Sequence, residues 1–389
     1  MRDPLPRGLG ALTAAKIVVN TALRSPYVFL TPISRHLDTT VGHLGFLLGI
    51  AELTGLGTAL IGRALDRGQY RFWMVTAATT VGVGSLLMAA LRSPVGFAAG
   101  FGLVALGVAF FTTAAHSWLG RDVPYAIRGR AMGVFETSWA MALLVGVPLV
   151  GVLLSLRTWW MPFVLISTLS IAAARLVQIR VPNRHIDAAG ASARTRAALS
   201  RRTKQTLLSS VAITFASMSI FSVYGSWLQD RFQLTTRVLG VFSVAIGVAE
   251  LLGSGAAASL SDRWGKPTAV RRGAGVMLVG LVAIAFRPSS VAVAIVALVV
   301  VFVGFEFGLI SLLSIVSEVG GERAGAVVAI DHALGTVSRA AGAALAATLY
   351  AAHGITAPVV VAMVGVSACA VATSRSLGQN RHDVTLSLQ

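Results

Sequence analysis

The sequence predicts an all-α membrane protein of about twelve transmembrane helices in two pseudo-symmetric six-helix bundles, and three observations carry that expectation. Charged residues make up 12% of the chain and hydrophobic ones 55%, against roughly 25% and 45–50% in soluble globular proteins. Mean hydropathy is +0.78. Apolar runs of helix-spanning length recur along the 389 residues, and about 20 such residues cross a hydrocarbon core of roughly 30 Å. Finally, a pattern around Glu52 returns around Glu250. The 40 glycines suit membrane helices, where small residues let backbones approach closely.

Taken in order, the runs place helices near 10–33, 41–61, 73–91, 95–119, 131–155, 159–179, 207–228, 238–260, 270–287, 291–316, 325–350 and 357–374. The ninth has the shortest apolar core and requires Arg271 and Arg272 to snorkel. With this count, 22 Lys and Arg fall on the side of both termini, and only Arg35, Arg92, Arg157, Arg231, Arg237 and Arg287 lie opposite. The bias predicts cytoplasmic termini and a chain held in a bilayer with an anionic inner leaflet. It also accounts for the net charge of +17 without nucleic acid as a partner. The expected organisation is a six-helix bundle over 1–179, a basic linker over 180–206, a second bundle over 207–374 and a cytoplasmic tail over 375–389. The single cysteine, Cys369, sits in an apolar run and offers no disulfide framework. The amino-terminal segment lacks a short apolar core with a cleavage site, so the first helix is expected to stay as an anchor.

The internal repeat is specific. LGFLLGIAELTG leads to GRALDRGQYRF in the first half, and LGVFSVAIGVAELLG leads to ASLSDRWGKPTAVRR in the second. Asp66–Arg67 returns as Asp262–Arg263, 196 positions later, and RGRAMGVF from Arg128 is echoed by GERAGAVV from Gly321. On these residues the chain resembles the major facilitator superfamily of transporters over nearly its whole length, closest in pattern to the bacterial drug and sugar efflux branch. The family's loop motif, Gly-x-Leu-Ala-Asp-Arg-x-Gly with basic residues after it, is matched by Leu260, Asp262, Arg263, Gly265 and Lys266. It is matched again by Gly62, Asp66, Arg67 and Arg71, with Gly68 one position early. An Asp at such a helix end can pair with cations and with a neighbouring helix amino terminus. The resemblance therefore implies a cytoplasmic gate, with Arg130 and Arg323 as partners for the two aspartates. The fifth predicted helix carries Gly133, Gly146, Pro148 and Gly151, which resemble the Gly/Pro pattern of family antiporters and equally serve plain helix packing. The fourth has Leu103 where drug exporters of the family carry Arg.

Charges in hydrocarbon are costly and face cavities or partners. Lys16, Asn20, Arg24, Tyr27 and Thr31 recur at spacings of 4, 4, 3 and 4 on one face of the first helix. Ser210, Thr214, Ser217, Phe221 and Tyr224 do the same on the seventh. Both stripes read as walls of a hydrated substrate cavity, to which His116 and Glu306 are added. At about 1.5 Å per residue Arg24 and Glu52 lie at similar depths, roughly 14 and 17 Å from the outer ends of their helices. They are expected to neutralise each other or to face shared water, as a structural pair or as part of proton coupling. Glu52, Glu250, Glu306 and Asp331 are the candidates for carrying protons, and a buried carboxyl that stays neutral is the competing account for Glu306. Helix 11 adds His332 and Arg339.

The chain lacks a phosphate-binding GxxxxGK[ST], an HExxH and a serine-nucleophile elbow, and no metal or cofactor is expected. The resemblance implies alternating access around a midplane site, driven by a gradient. Three functions stay open: proton-coupled export of a small molecule, uptake or facilitated passage of a polar metabolite such as a sugar, and a non-transporting scaffold or sensor. The expected partners are a small-molecule substrate, protons or another coupling ion, and lipid, and the chain is expected to be a monomer.

Overall fold

The computed structural model describes residues 5, 6, 8–156, 158–182, 199–319 and 324–386. Among these the regular structure is helical throughout, with no strand. Twelve spans follow one another. In the first half, α1 is Leu9–Val28 with a continuation at Leu30–His36, and α2 is Val41–Glu52, prolonged by a 3₁₀ stretch at Leu53–Leu60 and a turn of helix at Gly62–Asp66. Next come α3 (Tyr70–Ala90) and α4 (Pro94–Asp122); α5 runs as Tyr125–Met141, a π-helical turn at Ala142–Gly146, and Val147–Ser155; α6 is Met161–Arg180. The second half comprises α7 (Arg201–Phe221, continuing as Tyr224–Phe232), α8 (Thr236–Trp264), α9 (Lys266–Ala285), α10 (Val291–Val319), α11 (Ala324–His353) and α12 (Thr356–Leu386).

Ten of these spans are long and apolar enough to cross a bilayer. The two that fall short are α1, interrupted by Lys16, Asn20 and Arg24, and α11, interrupted by Asp331, His332 and Arg339. Polar residues inside a span, rather than a missing span, account for the difference from twelve. The outer surface is apolar as lipid requires: Phe72, Val279 and Phe286 are among the large side chains left exposed.

The neighbours of α1–α6 recur among α7–α12 with a shift of six. Helix α3 packs on α4 and α6 as α9 packs on α10 and α12, and α1 packs on α4, α5 and α6 as α7 packs on α10, α11 and α12. The strongest pairing in each half is sealed by small residues. A Cβ added at Gly84 of α3 would come within 2.6 Å of the Gly100 carbonyl of α4, and one added at Gly280 of α9 within 2.7 Å of the Ala297 carbonyl of α10. The helix starts follow local rules: the Ser93 hydroxyl accepts from the Gly96 amide at 3.1 Å with Pro94 in the first turn, and the Ser200 hydroxyl accepts from Thr203 at 3.0 Å.

Both halves share further detail. Helix α1 breaks at Phe29, after Pro26, and α7 breaks at Ser222–Val223 without a proline. The turns after the two Asp–Arg pairs are closed by Gly68 and Gly265, each at φ 79°, a left-handed conformation that glycine adopts freely. The turns differ in length: residues 67–69 separate the helices in the first half, and Gly265 alone does so in the second. The described chain divides into two compact units: 1–40, 50–195 and 234–247 form one, and 41–49, 196–233 and 248–389 form the other.

Candidate functional site

In the first unit the polar stripe of α1 faces α5, and each member finds a different solution to burial. The Lys16 ammonium, 2% exposed, donates to both carboxylate oxygens of Glu136 at 3.1 and 3.2 Å and lies 4.0 Å from the centre of the Phe135 ring. His116 of α4 brings its Nε2 to 2.6 Å from Glu136 Oε1, so one carboxylate holds an ammonium and an imidazole together. The Glu136 side chain is 45% exposed, leaving this cluster open on one side. One turn along α1, the Asn20 amide donates to Ser138 Oγ at 3.5 Å, while its buried Oδ1 has no hydrogen-bond partner among the described residues. Arg24, buried, donates to the Trp139 carbonyl at 3.1 Å and lies 4.8 Å from the centre of the Trp139 ring. Tyr27 meets Phe101 of α4 edge-on at 5.6 Å, and Thr31 is buried in the continuation of α1 beyond the break.

Glu136 was not picked out by the sequence reading. Its signal in the sequence is an acid five residues inside the predicted fifth helix, at nearly the depth of Lys16 in the first. Of the Gly/Pro pattern on the same helix, Gly146 presses on Thr21 of α1 with no room for a Cβ, and Gly151 does so on Phe29, within 3.0 Å. Pro148 opens the last segment of α5 just after the π turn, and Gly133 has open space around it. Glu52 is buried where α2 passes from α to 3₁₀ geometry, a transition steadied by Thr54 Oγ1, which donates to the Ala51 and Gly102 carbonyls.

In the second unit Phe221, Tyr224 and Phe302 form a buried aromatic group with centroids 5.5–6.3 Å apart. One turn beyond Phe302, the buried Glu306 accepts from Ser254 Oγ at 2.8 Å. Glu250 and Asp331 are also buried, Asp331 beside Ser210 of the α7 stripe, and Thr214 is half-buried. Tyr350 donates to Asp230 at 2.7 Å in the wall of a cavity of about 390 Å³ at the α7 end, another contact that the sequence reading did not anticipate.

At the basic ends of the helices, the Asp66 carboxylate is paired with Arg121 of α4 at 3.1 Å, both exposed. Arg121 ends the helix that packs directly on α2 and α3, which brings it to Asp66; Arg130, the expected partner of Asp66, and Arg67 are exposed. Arg71 donates to the Gln178 carbonyl at 3.4 Å, and Gly62 is loosely surrounded. Asp262 and Arg263 are exposed, and Lys266 pairs with Glu318. Arg323 lies outside the described residues, as does 183–198 of the basic linker. Among the described residues no three His, Cys, Asp or Glu side chains gather as a metal-binding group.

Apolar outer faces, charges held within the spans and two halves of matching connectivity make this a polytopic membrane protein. The chain belongs to the major facilitator superfamily, whose profile matches residues 12–343. It is 26% identical over 280 residues to an uncharacterized MFS-type transporter, YwfA of Bacillus subtilis strain 168, a match that spans 70% of this chain and 68% of that one. Its fold is similar to that of a bacterial homolog of the human lysosomal transporter Spinster in an inward-facing, unoccupied conformation, with TM-score 0.77, 15% identity, and 95% and 97% of the two chains covered. It is also similar to the human organic anion transporter MFSD10, with TM-score 0.69, 16% identity, and 95% and 98% covered. Membership in this family makes the chain a multi-pass protein that moves a small molecule across a membrane.

Proposed function

We propose that the chain is a secondary active transporter of the cytoplasmic membrane that exports a small molecule in exchange for protons, with both termini in the cytoplasm. The observation that carries this reading is the Lys16–Glu136–His116 cluster, in which one carboxylate balances a buried ammonium and an imidazole. Deprotonated, Glu136 can accept from a substrate donor on its open side while it balances Lys16, and a proton on Glu136 removes that acceptor and releases the substrate. Substrate and proton thus compete for the same carboxylate, as exchange requires. Asn20, Arg24, Tyr27 and Thr31 extend the site along α1, and Thr214, Phe221, Tyr224 and Glu306 supply its counterpart in the second half. Glu52, Glu250, Glu306 and Asp331 are further proton carriers, with Glu52 balancing Arg24.

Export is supported by the likeness of Gly146, Pro148 and Gly151 to the antiporter pattern, and the basic turns at Asp66 and Asp262 act as the cytoplasmic gate. A second reading, passage of a polar metabolite, is favoured by the amide and hydroxyl groups of Asn20 and Ser138 in the same stripe.

The test is transport in sided proteoliposomes with an imposed pH gradient, after a compound panel in cells has supplied a substrate. The wild type should accelerate under the gradient, and Glu136→Gln should lose that acceleration at least tenfold while keeping gradient-free exchange. Undiminished gradient-driven transport in Glu136→Gln, Glu52→Gln and Glu306→Gln alike would overturn proton coupling.

A further inference from the structure

A second concavity lies away from the polar stripes, within the second unit, on the outward side of α8, α9 and α10. Its volume is about 600 Å³, and Leu260, Val276, Val279, Val303 and Phe307 give it an almost wholly apolar lining. Two glycines create the space. No atom lies within 4 Å of a Cβ added at Gly275, so this position opens directly into the groove, while Gly304 presses on Met277 and recesses the floor.

One end of the groove is different in kind. Arg272 lies there with its guanidinium carbon 4.1 Å from the centre of the Trp264 ring, and Trp264 meets Phe307 edge-on at 5.8 Å. Among the described residues Arg272 has no carboxylate partner, and Glu318, at the end of α10, is engaged by Lys266. This end coincides with the basic face that we place in the cytoplasm. From Arg272 to Val279 the groove descends about 10 Å at 1.5 Å per residue, from headgroup depth into hydrocarbon.

We propose that this groove is a binding site for one anionic phospholipid of the inner leaflet. The headgroup phosphate accepts from Arg272, which the Trp264 face holds in place, and an acyl chain fills the channel over Gly275. Charge complementarity selects this occupant. A zwitterionic lipid gains little from the unpaired guanidinium, and a second copy of the chain would bring a second Arg272 to the first with no acid between them. The proposal concerns a resident lipid and stands apart from the transport reading.

Native mass spectrometry of the purified full chain, offered equal amounts of phosphatidylglycerol and phosphatidylcholine, tests it. One phosphatidylglycerol should be retained at least about fivefold over phosphatidylcholine, the preference a single interfacial basic residue supplies. Arg272→Gln should abolish the preference, and Gly275→Leu should empty the groove of either lipid; Arg63→Gln, in the other unit, should change nothing. Glycerol phosphate alone should not be retained, since it lacks the chain that fills the channel. If Gly275→Leu lowers the melting temperature, Val279→Trp fills the same space from an exposed position. Preference that survives Arg272→Gln, lipid retention that survives filling of the groove, or equal capture of glycerol phosphate would each overturn the proposal. A dimer mass that both groove-filling variants dissolve would do the same, by making the occupant a second copy.

Discussion

Lys16 and Glu136 are 120 positions apart in the chain, and neither is stable inside a bilayer without the other. Removing one member of a buried ion pair costs about 3–5 kcal/mol, mostly through the charge left behind; the open side of Glu136 places this pair near the lower end. Glu136→Gln should therefore lower the melting temperature in detergent more than the double variant Lys16→Met/Glu136→Gln does, with a coupling energy of about 2 kcal/mol in the cycle. Equal losses that simply add would show that the pair contributes nothing as a pair. Arg24 makes a different demand, because its guanidinium donates to the Trp139 carbonyl while lying over the same residue's ring. An ammonium cannot reproduce that planar arrangement, so Arg24→Lys should reduce transport about tenfold with little change in melting temperature. Transport at the wild-type rate would assign Arg24 a charge-only role. The stripe that contains both cations was legible because its spacing repeats the helical turn. The contact to Glu136 was not, since a single acid near the predicted end of a helix reads like any loop charge and pairing across 120 residues leaves no periodic trace.

At the scale of elements, α5 is joined to α1 by the absence of a side chain. An added methyl at Gly146 would collide with Thr21, whose hydroxyl already donates to the Ile17 carbonyl at 2.7 Å. Gly146→Ala should cost about 1–3 kcal/mol, the usual penalty of overpacking, and Thr21→Ala should recover part of it, measured as melting temperatures of the two single variants and the double. No recovery would mean that the backbone, rather than Thr21, sets the limit. The Gly/Pro pattern of this helix was visible in the sequence, but the π turn at Ala142–Gly146 was not, because it depends on how Pro148 and the packing on Thr21 are accommodated together. The breaks divide the same way. Pro26 foreshadows the one at Phe29, whereas Ser222–Val223 carries no breaker and follows from tertiary packing. The φ of 79° at Gly68 and at Gly265 was half legible: the glycines stood out in the sequence, and their positive φ needed the backbone. Alanine at either should cost about 1–2 kcal/mol, the price of a left-handed residue with a Cβ.

Across the whole molecule, apolar length and the repeat were enough to place all twelve spans, and the observed helices overlap every predicted one. The reason is physical: in lipid each span must satisfy its own backbone, so hydropathy alone locates it. Orientation rests on a different property, the distribution of Lys and Arg, and it can be tested separately. Cys369 is the only cysteine and is fully buried, so a cysteine introduced elsewhere is the only reactive thiol after Cys369→Ala or even without it. Arg67, in the turn after α2, and Arg92, between α3 and α4, are both exposed and sit at opposite ends of α3. A membrane-impermeant maleimide should label Arg92→Cys in intact cells, and should label Arg67→Cys only after permeabilisation. The reverse pattern would put the Asp66 and Asp262 turns outside. The gate assigned to those turns would then lie on the wrong side, and Arg272 would face the wrong leaflet for an anionic lipid, so this one measurement bears on the gate and the groove at once.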